Sequence, residues 1–244
     1  IAIEQDFYAS IYLSMVGALL KKDADIAIAN DNKNKGLKEK YDAVIHFTLS
    51  SKITSSCEHA VDASRQLENV FVVDSRSLST GIALLCIYAR ELATKGELPE
   101  DIVTKAKKRR DDLQVSFVVN TLSYLHKGGR CSGVARISAA LLRIKPQILI
   151  KKGEMVTGKK YFGKNCHVIE SYCEDVIQEF DNPDLSVAFV THTHASPDMV
   201  EAAKRALKER GFKEIIETMA GATITSHCGP KTLGILYFND GGPR

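Results

Sequence analysis

Apolar residues follow two rhythms along the chain, short unbroken runs and spacings of three to four, and the rhythms alternate. Asp42 to Ser51 opens with Ala43-Val44-Ile45 and breaks into a polar loop, which predicts a buried strand followed by a turn. Ala60, Val61, Ala63 and Leu67 predict a short helix over Glu58 to Leu67. "NVFVVDS" is a second apolar run closed by Asp74 and Ser75, after which apolar positions recur at helical spacing from Leu78 as far as Gly96. Pro99 to Leu113 predicts another helix, "VSFVV" a strand, and "NTLSYLHKGGR" a short helix stopped by Gly128-Gly129.

After Pro146 the segments shorten and become richer in strands. "QILIKKGEMVTGKKYFG" reads as a hairpin turning at Lys152-Gly153, and Cys166 to Phe180 as a helix. "SVAFVTHTH" is a strand, and a helix follows with Ser196 as its cap, Pro197 at its first position and Gly211 past its end. "EIIET" and "TLGILYF" are further strands. This alternation predicts an α/β fold of two lobes: a parallel-sheet amino-terminal lobe over residues 1–113 and a mixed-sheet α/β lobe over residues 114–244. Lys22 to Glu39 stays open, because "DADIAIA" fits a strand or a helix equally.

The 244 residues are 44% hydrophobic and 26% charged, an ordinary globular composition. A net charge of +3 is too mild for a nucleic-acid partner, which calls for a clustered basic face. The one dense basic run, Lys105 to Arg110, meets Asp111-Asp112 at once and reads as the solvated end of a helix. Six cysteines without a C-x-x-C pair suggest neither a zinc cage nor a disulfide scaffold, so reduced thiols in the cytoplasm are expected. No apolar run approaches the roughly 18 residues of a membrane span, and the first ten residues lack signal-peptide order.

Most chemical motifs fail on inspection. "GEMVTGKK" places Lys160 where a phosphate loop needs Ser or Thr, and it lies in a hairpin. His192 and His194 share a strand face without a third metal ligand nearby in sequence. His227-Cys228 reads as a pair on a strand, where adjacent side chains face opposite ways. Four clusters remain: "TLSSKITSS", "DSRSLSTG", "HKGGRCSG" and "TSHCGP". The first two sit at the carboxyl ends of strands expected to be parallel, the edge where α/β sheets bind ligands. Hydroxyls and turn amides there suit a carboxylate or phosphate; taken singly, each cluster also fits helix caps and turns.

In "VIHFTLSSKITSSCEHAV", "VVDSRSLSTGIALL", "FVVNTLSYLHKGGRCSGVARISAALLRIKP" and "TSHCGPKTLGILYF" the chain resembles the DegV family, bacterial fatty acid-binding proteins that include the FakB-type subunits of fatty acid kinase. The matches run in order over about Ala43 to Phe238. The resemblance implies a long-chain fatty acid in a tunnel between the lobes, its carboxylate presented to a separate ATP-dependent kinase that makes acyl phosphate for phospholipid synthesis. It implies a lipid-binding subunit with neither catalytic residues nor a cofactor. Carried over by motif, Ser50 and Ser51 are the main hydroxyl contacts to the carboxylate, Arg130 and His227 belong to the polar network behind them, and Thr48, Ser75 and Ser77 line the same site. The family's opening strand and a Thr-bearing head-group segment are absent ahead of Gln5-Asp6-Phe7, and Ser55-Ser56-Cys57 replaces its Ser-Gly-Thr. The resemblance therefore leads one to expect an amino end that is incomplete.

Two other classes stay in view. An acyl ester or thioester hydrolase or transferase using His227 or Cys228 predicts turnover without a partner. A regulator predicts assembly that follows lipid loading.

Overall fold

A computed structural model describes residues 15–19, 24–28, 42–65, 67–127 and 144–242, the first two segments as backbone. The chain divides into two compact units, Ile1–Asp111 and Asp112–Arg244.

The first unit holds strands β1 (Met15–Leu19), β2 (Ala24–Ile28), β3 (Ala43–Thr48) and β4 (Val70–Asp74), which lie in the order β2-β1-β3-β4. The expected parallel pair is β3 with β4, running from Val44 opposite Val70 to Thr48 opposite Asp74. β1 lies antiparallel to both β2 and β3, so the sheet is mixed. "DADIAIA" is thus strand over Ala24–Ile28; the rest of Lys22 to Glu39 lies outside the described residues. β3 is flanked on both sides and buried at every position, which is why Ala43, Val44, Ile45 and Phe47 do not alternate with solvent-facing residues.

Three helices complete this unit: α1 (Ser56–Ser64), α2 (Thr80–Thr94) and α3 (Pro99–Arg109). α2 lies against β1, β2, β3 and α3 and buries Ile82, Leu84, Leu85, Cys86, Ala89 and Leu92 around most of its circumference. α3 starts with Pro99 at its first position, carries Glu100 and Asp101 in its first turn and ends on Lys107, Lys108 and Arg109, matching the helix dipole at both ends. It stops at Arg109; Arg110–Asp112 form a 3₁₀ turn and Leu113 already opens the next strand. Only part of the basic run is solvated. Lys107 and Lys108 are exposed, whereas Arg109 is 7% exposed and sets its guanidinium 4.5 Å from the Tyr88 ring centroid.

The second unit is one six-stranded sheet of β5 (Leu113–Val118), β6 (Lys145–Lys151), β7 (Glu154–Tyr161), β8 (Val187–Thr193), β9 (Glu214–Met219) and β10 (Thr232–Phe238). Its order is β7-β6-β5-β10-β8-β9, antiparallel throughout except for β8 with β9. The β6-β7 hairpin turns at Lys152 and Gly153, whose φ angles of 51° and 85° are both left-handed, as a two-residue turn between twisted strands requires. The unit's helices are α4 (Ser123–Lys127), α5 (Asn165–Glu179), α6 (Pro197–Arg210) and α7 (Ala222–Cys228). Gly211, at φ 104°, ends α6 as expected.

α5 and α6 cover one face of this sheet, where Tyr172, Val176, Met199 and Leu207 meet Ile235 and Tyr237. Val115, Phe117, Ile148, Phe189, Leu236 and Phe238 point to the opposite face by register and are buried as well. No described helix is long and apolar enough to cross a membrane.

Candidate functional site

The parallel pairing of β3 with β4 brings the first two hydroxyl clusters together. Past the strand ends the ladder continues through loops: Ser75 N donates to the Thr48 carbonyl at 3.3 Å and Ser50 N to the Ser77 carbonyl at 2.9 Å. Thr48, Ser50, Ser75 and Ser77 are all buried here, between 0% and 1% exposed.

Their hydroxyls have different roles. Ser75 Oγ accepts from Ser77 N at 3.0 Å and donates to the Ser77 carbonyl at 3.3 Å, holding its own turn closed. Ser50 Oγ accepts from Lys52 N at 3.2 Å. Thr48 Oγ1 makes a long contact of 3.5 Å to the Val73 carbonyl. Ser77 Oγ is buried and has no hydrogen-bond partner among the described residues. Helix capping does not account for the cluster: Ser55 and Ser79 occupy the cap positions of α1 and α2, and neither side chain makes a cap bond.

Asp74 organises the exposed side of this edge. Its Oδ1 accepts from Ser51 N at 3.2 Å and Arg76 N at 2.9 Å, and its Oδ2 accepts from Ser51 Oγ at 2.6 Å. The Arg110 guanidinium donates to the Asp74 carbonyl, and Arg76 pairs with Asp111 at 3.1 Å. Burial, then the neighbouring Arg76, lower the Arg110 pKa. Arg76 and Ser79 both take positive φ, 49° and 50°, so the "DSRSLS" loop is held in backbone that non-glycine residues seldom adopt.

In the second unit the helix that carries His126 and Lys127 of the third motif meets the helix of the fourth; Gly128 to Gly133 lie outside the described residues. α4 lies against α7, and the Tyr124 ring covers Gly229 so closely that a Cβ built there would lie 2.5 Å from Tyr124 Cδ2. Thr193 and Thr232 tie down the loop after His227: Thr193 Oγ1 donates to the Gly229 carbonyl at 2.5 Å, and Thr232 Oγ1 to the Cys228 carbonyl at 2.9 Å. His227 is half-buried on α7. The segment expected to be strand here is helix, so His227 and Cys228 diverge by about 100° rather than pointing to opposite faces. Cys228 is buried, and burial pushes its thiol up to about 12. Arg130 lies outside the described residues.

His192 is the penultimate residue of β8 and is 7% exposed; its Nε2 lies 3.2 Å from Glu217 Oε1, and its Nδ1 accepts from Ala195 N at 3.3 Å. The Ala195 bond leaves Nε2 as the protonated nitrogen donating to Glu217. Among the described residues, no group of three or more His, Cys, Asp or Glu side chains is placed to hold a metal ion.

A family described as uncharacterised proteins of the DegV type matches residues 31–240. The chain belongs to the DegV family. A DegV relative from Thermotoga maritima, named a fatty acid-binding protein, is 33% identical over 212 residues, 84% of this chain and 73% of the relative. A solved DegV lipid-binding protein from Thermotoga maritima superposes with a TM-score of 0.74 at 25% identity, covering 93% of this chain and 90% of that one. A DegV family protein from Thermus thermophilus, solved in a study of its fatty acid binding, shares the fold with a TM-score of 0.79 at 21% identity, covering 97% and 95%.

In this DegV chain the residues missed by reading the sequence are Asp74, Thr193 and Thr232. Asp74 stands at the head of "DSRSLSTG", where the hydroxyls rather than the carboxylate carry the reading. Thr193 sits inside "THTHA", where the histidines attract notice first, and Thr232 opens a strand in which only the apolar run stands out.

Proposed function

We propose that this chain binds one long-chain fatty acid with its tail buried, and presents the carboxylate to a separate ATP-dependent kinase for conversion to acyl phosphate. The observation that carries the reading is kinship with the fatty acid-binding protein of Thermotoga maritima. On this reading Ser50, Ser51 and Ser77 donate to the carboxylate and Arg130 and His227 supply charge-assisted bonds, while Thr48 and Ser75 shape the lining. The chain is a lipid-binding subunit of the cytoplasm and leaves the chemistry to its partner.

The physical demands of such a ligand match what the residues offer. A carboxylate leaving water needs donors, and an unpartnered buried hydroxyl at Ser77 beside the Ser50 amide is a donor awaiting an acceptor. Burying a sixteen-carbon tail contributes on the order of 10 kcal/mol gross, at about 0.8 kcal/mol per methylene. Tail burial supplies affinity and the hydroxyls supply register. The hydrolase reading is disfavoured by Cys228: a buried thiol with its pKa pushed to about 12 stays protonated at neutral pH and is a poor nucleophile.

Native mass spectrometry of the purified protein, followed by denaturation and lipid extraction, tests the reading. One added mass per chain matching a long-chain fatty acid is expected. A protein that is empty and refuses added palmitate overturns it.

A further inference from the structure

Ser51 is exposed, as a group that meets a transferable carboxylate must be, yet its hydroxyl is already spent. A serine has one hydroxyl proton, and Ser51 gives it to Asp74 Oδ2 at 2.6 Å, the length of a strong charge-assisted bond. In that state Ser51 turns only lone pairs toward a ligand. A fatty acid carboxylate also has only lone pairs, and it meets the negative charge of Asp74 behind the serine.

Asp74 itself does not depend on the hydroxyl. Its Oδ1 keeps Ser51 N and Arg76 N whichever way the Ser51 side chain points, and the Arg110 guanidinium holds its carbonyl. The other charged groups at this edge are Arg76 and Asp111, which pair with each other, and Lys52, which is exposed. The loop is therefore built to survive loss of the Ser51–Asp74 hydroxyl bond.

We propose that Asp74 is an internal competitor for the Ser51 hydroxyl, a latch that a fatty acid carboxylate must displace, so that Asp74 sets the affinity and head-group selectivity of the site. This rests on the fatty acid reading above and adds the group that opposes binding. In the empty protein the latch satisfies Ser51. On loading, the hydroxyl proton passes from Asp74 to the ligand carboxylate as a hydrogen bond, and Asp74 Oδ2 returns to water while Oδ1 keeps its two amides.

Asp74→Asn inverts the latch without removing it. The two backbone amides still need an acceptor, which fixes the Asn oxygen at the Oδ1 position and puts its NH₂ at the Oδ2 position. That NH₂ donates to Ser51 Oγ and forces the hydroxyl proton outward, toward the ligand.

The test is calorimetric titration of delipidated wild type, Asp74→Asn, Ser51→Ala and the double variant with palmitate and with hexadecanol at pH 8, each variant first checked for an unchanged thermal transition. Asp74→Asn is expected to bind palmitate about tenfold more tightly than wild type. Most of the gain should vanish in the Ser51→Ala background, where only removal of the Asp74 charge remains. Hexadecanol, which has a proton to give to the Ser51 lone pairs, should gain nothing from Asp74→Asn. Equal or weaker palmitate binding by a folded Asp74→Asn protein overturns the latch, as does a gain undiminished by Ser51→Ala or one that extends to hexadecanol. Wild type that binds neither lipid overturns the fatty acid reading, and the latch with it.

Discussion

Ser50 and Ser77 come from different motifs and are joined by one bond, from the Ser50 amide to the Ser77 carbonyl at 2.9 Å. That bond fixes the Ser77 backbone and leaves its side chain buried with nothing to donate to among the described residues. A buried hydroxyl in that condition lowers stability, and a protein that retains one at a ligand edge is trading stability for binding.

Ser77→Ala should therefore act in opposite directions on the two properties. Urea denaturation of the lipid-free protein should show an unfolding free energy higher by about 1 kcal/mol, and palmitate affinity should fall about tenfold. A variant less stable than wild type would mean that the hydroxyl is bonded in the empty protein.

His46 is fully buried in β3, and burial holds its pKa at about 4, below the ordinary 6.5. Between those values the unfolded chain takes a proton that the folded chain refuses. The stabilisation is thus complete above pH 6.5 and is lost as pH falls toward 4, by an amount on the order of 3 kcal/mol. Urea midpoints at pH 7.5 and pH 4.5 should fall further apart in wild type than in His46→Leu. Identical pH dependence in the two would show that His46 protonates without cost.

Tyr172 is 0% exposed and its hydroxyl donates to the Ser116 carbonyl at 2.8 Å while accepting from Ile235 N at 3.1 Å. Ser116 Oγ lies 2.8 Å from the same hydroxyl. Tyr172→Phe keeps the ring and leaves several buried polar groups short of a partner, so a loss of about 3 kcal/mol is expected. The shift in urea midpoint at constant slope is the measurement; a change under about 1 kcal/mol would show that the groups find other partners.

Gly229→Ala meets two obstacles, the positive φ of 79° and the Tyr124 ring. The expected cost is about 2–3 kcal/mol in the wild-type background. In a Tyr124→Ala background the ring is gone and only the backbone penalty of about 1–2 kcal/mol remains. A double-mutant cycle on thermal stability measures the difference, and perfect additivity would show that the ring does not press on this position.

What was legible in the sequence was local. Val70 to Val73 and Ile235 to Phe238 are unbroken apolar runs, and Pro99, Pro197 and Gly211 stand where helix ends require them. The hydroxyl-rich ends of β3 and β4 were legible because parallel strands put both loops on one edge. What escaped depends on partners remote in sequence. Nothing within "DADIAIA" says that Met15–Leu19 lies beside it. Ala222–Cys228 spans about two turns, too short for periodicity to separate helix from strand. That Arg109, rather than Lys107 or Lys108, turns inward depends on Tyr88 from another helix. The Ser51–Asp74 bond depends on Thr48 lying opposite Asp74, a register that only the folded sheet supplies.

The strand at the middle of the second sheet, β10, is also the last of its strands to be synthesised. On the ribosome, β5 and β8 are complete long before the residues that join them have been translated, and each waits with an unpaired edge. Folding of this unit accordingly has a late decisive step: insertion of one seven-residue segment closes two ladders at once and delivers the Ile235 amide to Tyr172. A nascent chain stalled before Thr232 is left with exposed strand edges, the kind of species that chaperones hold and proteases remove.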